Sequence, residues 1–401
     1  MSGAKNAALP IMAASLLTSD TCHLDNLPAL ADVDNALSIL GDLGVTVERT
    51  GIGEVSLTAD GRIDSEVPLA RAQRMRASIL FLGPLLARTG RAVVPKPGGD
   101  DIGMRRVDQH IYGLLQLGAT VEERDGELVC TADRLVGAEI QLDMPTVTGT
   151  ENLMMAAVTA DGHTSISNAA REPHVEDLAT ALISMGARIS GAGTSEIEVD
   201  GVEELHGGHH RVVPDYLEAG TYAIAAAATG GNVAIEDCPS RDLRSLVHKL
   251  RQAGVSVDVE DDTLHVSRTG PLHALDLITW THPGFATDLQ PQYTALMTQA
   301  DGLSVVQEFL FENRFFYVGE LLAMGASIEA FPHGRGIRVY GPRTLKGTAV
   351  TIPDIRAGAA LLIAALCAEG TTRLVGVEHL DRGYDNLAGK LSGLGAVLRE
   401  G

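Results

Sequence analysis

The chain has 401 residues, is 45% hydrophobic, and sets 31 Lys and Arg against 52 Asp and Glu, a formal net charge of −21. That length and apolar content allow two packed domains and exclude a disordered chain, while the acidic balance argues against nucleic acid or an anionic membrane as the principal partner. There is no apolar run near the roughly 20 residues a membrane span needs and no charged-then-apolar leader, so the expected compartment is the cytoplasm.

Taken in chain order, the predicted elements repeat. A helix opening at "GAKNAALP" is followed by "AASLLTSDTCHL" and then by a second helix that ends in "LGDLGVTVE". The same sequence of helix, turn, strand, helix and glycine returns with "RMRASILF", "LLARTGRAVV" and "LLQLGATVE", then with "TGTENLMM", "AVTADGHTSI" and "LISMGARIS". It continues through "EAGTYAIA", "AAAATGGNVA" and "LRQAGVSVD", then "TDLQPQYT", "LMTQADGLSV" and "LLAMGASIE", and closes with "DIRAGAAL", "LCAEGTTRLV" and "LSGLGAVLR".

The pivotal glycines are Gly44, Gly118, Gly186, Gly254, Gly325 and Gly395, spaced 74, 68, 68, 71 and 70 residues apart. Each reads as a left-handed helix C-cap, and the alternating residues after it read as a strand. Six α/β units of this size, with alanine-rich first helices, predict two domains of three repeats each, helices inside and strands outside; a solenoid is the other arrangement such units allow. The expected boundaries are 1–211, carrying a mobile loop at 95–107, and 212–401.

Three of the six first helices put a cation in or near the opening turn: Lys5, Arg76 and Arg356. A helix N-terminus is already electropositive, so a cation there costs about 0.3–1 kcal/mol. Recurrence at equivalent positions points to a shared anion, phosphate or carboxylate; the alternative is that each cation pairs with a nearby carboxylate. Between the second strand and helix of the second repeat lies "PKPGGDDIGMRRVDQH", a glycine-rich loop joining Asp100 and Asp101 to Arg105 and Arg106. By composition it reads either as a solvated turn or as a lid.

Cys22, Cys130, Cys238 and Cys367 stand apart, with no CxxC, and read as reduced core residues. "HGGHHR", His206 to Arg211, reads as a solvated interdomain linker and not a metal site, and no GxGxxG follows a strand, so neither metal nor nucleotide cofactor is implied.

The stretches "SGAKNAALPI", "MRASI", "PGGDDIGMRRVD", "TVTGTENLMMAA", "NAAREP", "PDYLEAGTYAIAAAATGG", "HPGFATDLQPQ", "FENRF", "DIRAGAAL", "AEGTT" and "HLDRGYDNLAGKLSGLGA" run in order through essentially the whole chain. Together they resemble the UDP-N-acetylglucosamine 1-carboxyvinyltransferases, the enolpyruvyl transferases that open bacterial peptidoglycan synthesis. The resemblance implies two domains, each three repeats of an inside-out α/β barrel, with substrates bound between them. It also implies transfer of the enolpyruvyl group of phosphoenolpyruvate to the sugar 3-hydroxyl, with release of phosphate and without a cofactor.

By the same resemblance, Lys5, Arg76, Arg105, Arg356 and Arg382 surround phosphoenolpyruvate and the tetrahedral intermediate, and Lys5 and Arg382 count with Asp100 and Asp288 as catalytic. Asp288 takes the sugar hydroxyl proton or positions that group. Asn6, Arg76, Arg105, Arg106, Val107, Asp108, Gln109, Thr146, Val147, Thr148, Asp288 and Leu310 fall where the family holds the UDP-sugar. Arg314 of "FENRF" matches a position of more structural than catalytic character.

The chain departs from the family pattern at Asp100, where most relatives have "PGGC" with a cysteine that delivers a proton to the methylene carbon of phosphoenolpyruvate. Asp100 is the expected acid in its place, with weak inhibition by fosfomycin, which alkylates a thiol, as a consequence. Leu80, Met144 and Tyr216 replace tryptophan, lysine and arginine of some relatives. The family also carries residues before "SGAKN", including a strand that joins the C-terminal domain, and a missing strand is expected to expose an edge in the last repeat. A sister transferase acting on another hydroxyl and a catalytically weak nucleotide-sugar regulator are the alternative functions.

Overall fold

The structure is a computed structural model that describes residues 1–96, 102–103 and 106–399. All six pivotal glycines have left-handed backbones, with φ of +101°, +89°, +99°, +93°, +96° and +102° in chain order. At the first, Val45 N–H bonds the Leu40 carbonyl and Gly44 N–H bonds the Gly41 carbonyl, the paired bonds of a Schellman cap, and the other five glycines repeat the pattern. Four residues before each glycine stands a buried leucine: Leu40, Leu114, Leu182, Leu250, Leu321 and Leu391. That leucine is the residue whose carbonyl closes the cap, so one side chain seats the helix end while its backbone stops the helix.

The first helices are α1 (Lys5–Ala14), α2 (Leu82–Thr89), α3 (Val147–Ala157), α4 (Tyr216–Thr229), α5 (Gln290–Met297) and α6 (Ile355–Cys367). In α3, α4 and α5 nearly every residue is buried, which is why they carry so little charge and why α3 and α4 carry so much alanine, glycine and threonine. The second helices, such as Arg244–Gln252, bury one leucine-rich face only.

Two starts differ from the sequence reading. Arg76 opens a 3₁₀ segment, Arg76–Phe81, and Asp288 lies in another, Thr287–Leu289; α-helix begins only at Leu82 and Gln290. Pro84 and Pro291 explain the delay, since proline cannot donate the backbone bond an earlier α-helical turn would need but is tolerated within a first turn. Pro10 likewise withdraws the bond that position would give the Asn6 carbonyl inside α1.

Six small sheets accompany the repeats. In the first, His209–Arg211, Thr21–Asp25, Glu54–Thr58 and Thr46–Gly51 lie in that order, and the other sheets of three or more strands share its antiparallel core. Among the described residues the sixth holds only the parallel pair Ala349–Thr351 and Arg373–Val375. The strand expected after Gly395 does not form: residues 396–399 have no regular structure, because that sheet offers no antiparallel partner for their backbone groups. Val375, Leu394 and Val397 are exposed there.

The chain separates into two compact units, one built on residues 2–96 and 106–213 and the other on Pro214 onward. Each has its own apolar core, from Ala4 to Val212 and from Tyr216 to Leu391. Two sequence readings are corrected. "HGGHHR" is not a free linker: His209–Arg211 is an edge strand parallel to Thr21–Asp25, and the His210 ring meets Asp177 Oδ1 at 2.9 Å. Cys22, Cys130 and Cys238 are buried, but Cys367 is only half-buried at the end of α6.

Candidate active site

The predicted site residues fall into two constellations, one in each unit; Asp100, Asp101 and Arg105 lie outside the described residues, as does most of the 95–107 loop. In the first unit, Lys5 is the first residue of α1, nine-tenths buried, and no side chain caps that helix. Its Nζ stands 3.3 Å from Asp32 Oδ2, so at this position the carboxylate-pairing alternative holds. Asn6 and Arg76 are half-buried.

The segment from Arg106 to Gln109 leads into the helix Asp108–Gln116. Arg106 and Asp108 pair on the surface at 3.1 Å, and Val107 between them is half-buried. Gln109 is tied to Asp143, accepting the Asp143 N–H at 2.8 Å. Thr146 caps α3 by accepting from Gly149 N–H at 3.3 Å, which leaves Val147 and Thr148 half-buried on the first turn.

In the second unit Asp288 is held by two buried guanidiniums. Arg314 Nη2 donates to Oδ1 at 2.7 Å, and Arg356 Nε donates to Oδ2 at 3.1 Å. Arg356 is placed by α6, whose N-cap Asp354 accepts from Arg356 N–H and Ala357 N–H, both at 2.9 Å. Its guanidinium lies 5.2 Å from the centre of the Tyr384 ring. The Tyr384 hydroxyl is fixed in turn by Gln292 Nε2 at 3.0 Å and Thr221 Oγ1 at 3.1 Å, one residue from each of α5 and α4.

Burial raises the Tyr384 phenol above its usual range although Arg356 opposes it, so the ring stays neutral. Arg356 Nη1 is buried without an acceptor among the described residues, an arrangement costing about 1–3 kcal/mol that a bound anion would relieve. Arg382 ends a 3₁₀ segment, Val377–Arg382, and is half-buried. Leu310 donates its N–H to Glu308 Oε1 at 2.8 Å.

Sequence reading did not single out Asp32, His110, Asn152, Thr221, Gln292 or Tyr384. The available signal was polar residues in otherwise apolar helices: Asn152 in "TGTENLMMAA" and Gln292 in "TDLQPQYT" have no place in a buried helix unless they bond something. Within the second unit, an anchored cation at a helix start, a carboxylate clamped between guanidiniums and an orphaned donor are suited to an anionic substrate.

Residues 1–391 match the family model described as EPSP synthase (3-phosphoshikimate 1-carboxyvinyltransferase). The UDP-N-acetylglucosamine 1-carboxyvinyltransferase of Sorangium cellulosum is 50% identical over 398 residues, covering 99% of this chain and 94% of that protein. The protein of the same name from Granulibacter bethesdensis is 48% identical over 399 residues, covering 99% and 94%. Among solved structures, the enolpyruvyl transferase NikO from Streptomyces tendae superposes with a TM-score of 0.88 at 26% identity, covering 100% of this chain and 94% of that one. EPSP synthase from Acinetobacter baumannii gives 0.77 at 20% identity, covering 100% and 96%, a likeness of fold alone.

Proposed function

The chain belongs to the EPSP synthase family, and from that premise we propose that it transfers the enolpyruvyl group of phosphoenolpyruvate to the 3-hydroxyl of UDP-N-acetylglucosamine, supplying a peptidoglycan precursor. The observation that carries this reading is near-half identity over essentially the whole chain to proteins named for that reaction. On this reading each unit is an inside-out barrel of three repeats.

The chemistry assigns work to the residues. Phosphoenolpyruvate brings a carboxylate and a phosphate, and Lys5, Arg76, Arg105, Arg356 and Arg382 balance their charge. In the addition step the sugar oxygen bonds to C2 of phosphoenolpyruvate, Asp288 takes or directs the hydroxyl proton, and Asp100 delivers a proton to the methylene carbon, which becomes methyl. In the elimination step the C2–phosphate bond breaks, a proton leaves the methyl group, and the vinyl ether and inorganic phosphate are released.

Asp288 enters this scheme clamped by Arg314 and Arg356, both of which favour its anion. An incoming carboxylate that drew Arg356 to itself would leave Asp288 with one guanidinium instead of two, and so make it a better proton acceptor when substrate is present. Asn6, Arg106 to Gln109, Thr146 to Thr148 and Leu310 hold the sugar nucleotide.

Mass spectrometry of a mixture of protein, phosphoenolpyruvate and UDP-N-acetylglucosamine tests the reading. The expected product is the enolpyruvyl ether of the sugar nucleotide. An ether formed on UMP and not on the sugar nucleotide would overturn it.

A further inference from the structure

His110 is 1% exposed, on the helix Asp108–Gln116, and both its ring nitrogens have partners from α3. Nδ1 lies 3.1 Å from Asn152 Nδ2, and Nε2 lies 3.1 Å from Thr148 Oγ1. The direction of each bond follows from the neighbours. Asn152 Oδ1 accepts the Gly83 N–H at 2.7 Å, so the other branch of that amide is the NH₂ group. This group can only donate, and besides His110 it faces two acceptors, the carbonyls of Ile79 at 2.9 Å and Thr148 at 3.1 Å. His110 Nδ1 therefore carries the lone pair, and the single ring proton sits on Nε2.

Protonating Nδ1 would set donor against donor in a site without water access, next to the cation of Arg76; Asp108 is the nearby opposing charge. Burial first and Arg76 second lower the ring to about 3, so it is neutral at physiological pH. A ring fixed in this tautomer donates to Thr148 Oγ1. The Thr148 hydroxyl hydrogen must then find an acceptor elsewhere, and among the described residues there is none. Thr148 is half-buried on the first turn of α3, where the backbone N–H groups of Val147 and Thr148 also lack acceptors among the described residues.

We propose that His110 is a positioning residue for the sugar nucleotide: its Nε2–H, fixed by Asn152, turns the Thr148 hydroxyl into an obligate donor aimed at an unprotonated oxygen of the ligand's phosphate groups. The inference rests on the function proposed above, since it presumes a phosphate-bearing ligand at this turn. Two repeats converge on it: Ile79, Gly83 and His110 from the second, and Asn152 and Thr148 from the third. Gly83 is required there because a Cβ would stand 2.3 Å from the Asn152 carbonyl oxygen.

The test is calorimetric binding of UDP-N-acetylglucosamine to the whole chain and to Thr148→Ala, His110→Phe and their double variant, with long-range ¹⁵N–¹H NMR of the His110 ring at pH 7. Loss of one donor to a charged acceptor predicts roughly tenfold or greater weakening in each single variant. If the two act as one device, the double variant is no weaker than the worse single, the KM for phosphoenolpyruvate is unmoved, and His110→Gln, which restores an N–H, recovers part of the affinity. NMR is expected to show the neutral Nε2–H tautomer.

Additive losses, unchanged affinity in a folded His110→Phe, or an Nδ1–H or doubly protonated ring would overturn the inference alone. If His110→Phe does not fold, Thr148→Ala and the tautomer decide it. Failure of the wild-type chain to bind the sugar nucleotide would overturn the proposed function, and this inference with it.

Discussion

On the proposed function Asp100 is the acid, at the position where the family resemblance places a thiol in most relatives. A carboxyl group delivers a proton as an acid but is not alkylated as a thiolate is, so one substitution separates catalysis from drug sensitivity. Asp100→Asn, which has no acidic proton, is expected to lose orders of magnitude in kcat. Asp100→Cys is expected to keep activity and to gain time-dependent inactivation by fosfomycin, to which the unsubstituted chain is expected to respond weakly. Steady-state rates with and without the drug check both; an active Asn variant would move the acid to another group.

Residue chemistry was also the least evenly legible part of the sequence. Lys5, Arg76 and Arg356 stood out because cations at helix starts oppose the helix dipole. What the sequence did not disclose was their company. Asp32 is 27 residues from Lys5, and Asp288 is 68 from Arg356, so neither pairing has a local signature. The His110 network joins positions 38 and 42 residues apart and shows only as an asparagine with no evident use.

Among elements, the glycine-capped second helices were readable because a left-handed residue has one inexpensive solution. Gly118, at φ +89°, has open space where a Cβ would stand, so Gly118→Ala adds backbone strain alone, about 1–2 kcal/mol. Gly83 has an ordinary backbone but meets a carbonyl oxygen 2.3 Å from its absent Cβ, so Gly83→Ala must push α2 from α3. Urea unfolding is expected to rank Gly83→Ala as the more destabilising, with loss of sugar-nucleotide affinity in that variant only. Equal costs, or affinity lost in both, would count against the account. The sixth repeat marks the limit of pattern reading: "LSGLGAVLR" has the cap, as Gly395 shows, but a strand also needs a partner, and that requirement is not local.

At the scale of the whole molecule, stability should respond to acid in a way that identifies its buried groups. His110 is lowered to about 3 from an ordinary 6.5, so between those values the unfolded chain binds a proton that the folded chain refuses. Its contribution is therefore intact above about 6.5 and is lost as pH falls toward 3. Glu151 and Glu218 are raised, by burial first, and act in the opposite sense: each favours the folded state at low pH and loses that contribution as pH rises through its folded value. His110→Gln is expected to flatten the acid limb of a melting-temperature profile while leaving the contributions of both glutamates. A limb unchanged in slope would mean that the ring is not buried neutral.

The most direct measurement is phosphate release from phosphoenolpyruvate by the unsubstituted chain, run with UDP-N-acetylglucosamine, with UMP and with no acceptor. The account predicts release that depends on the sugar nucleotide, which would also show that catalysis proceeds with Asp100 in place of cysteine. Release with UMP alone, or none with any acceptor despite measurable sugar-nucleotide binding, would contradict it.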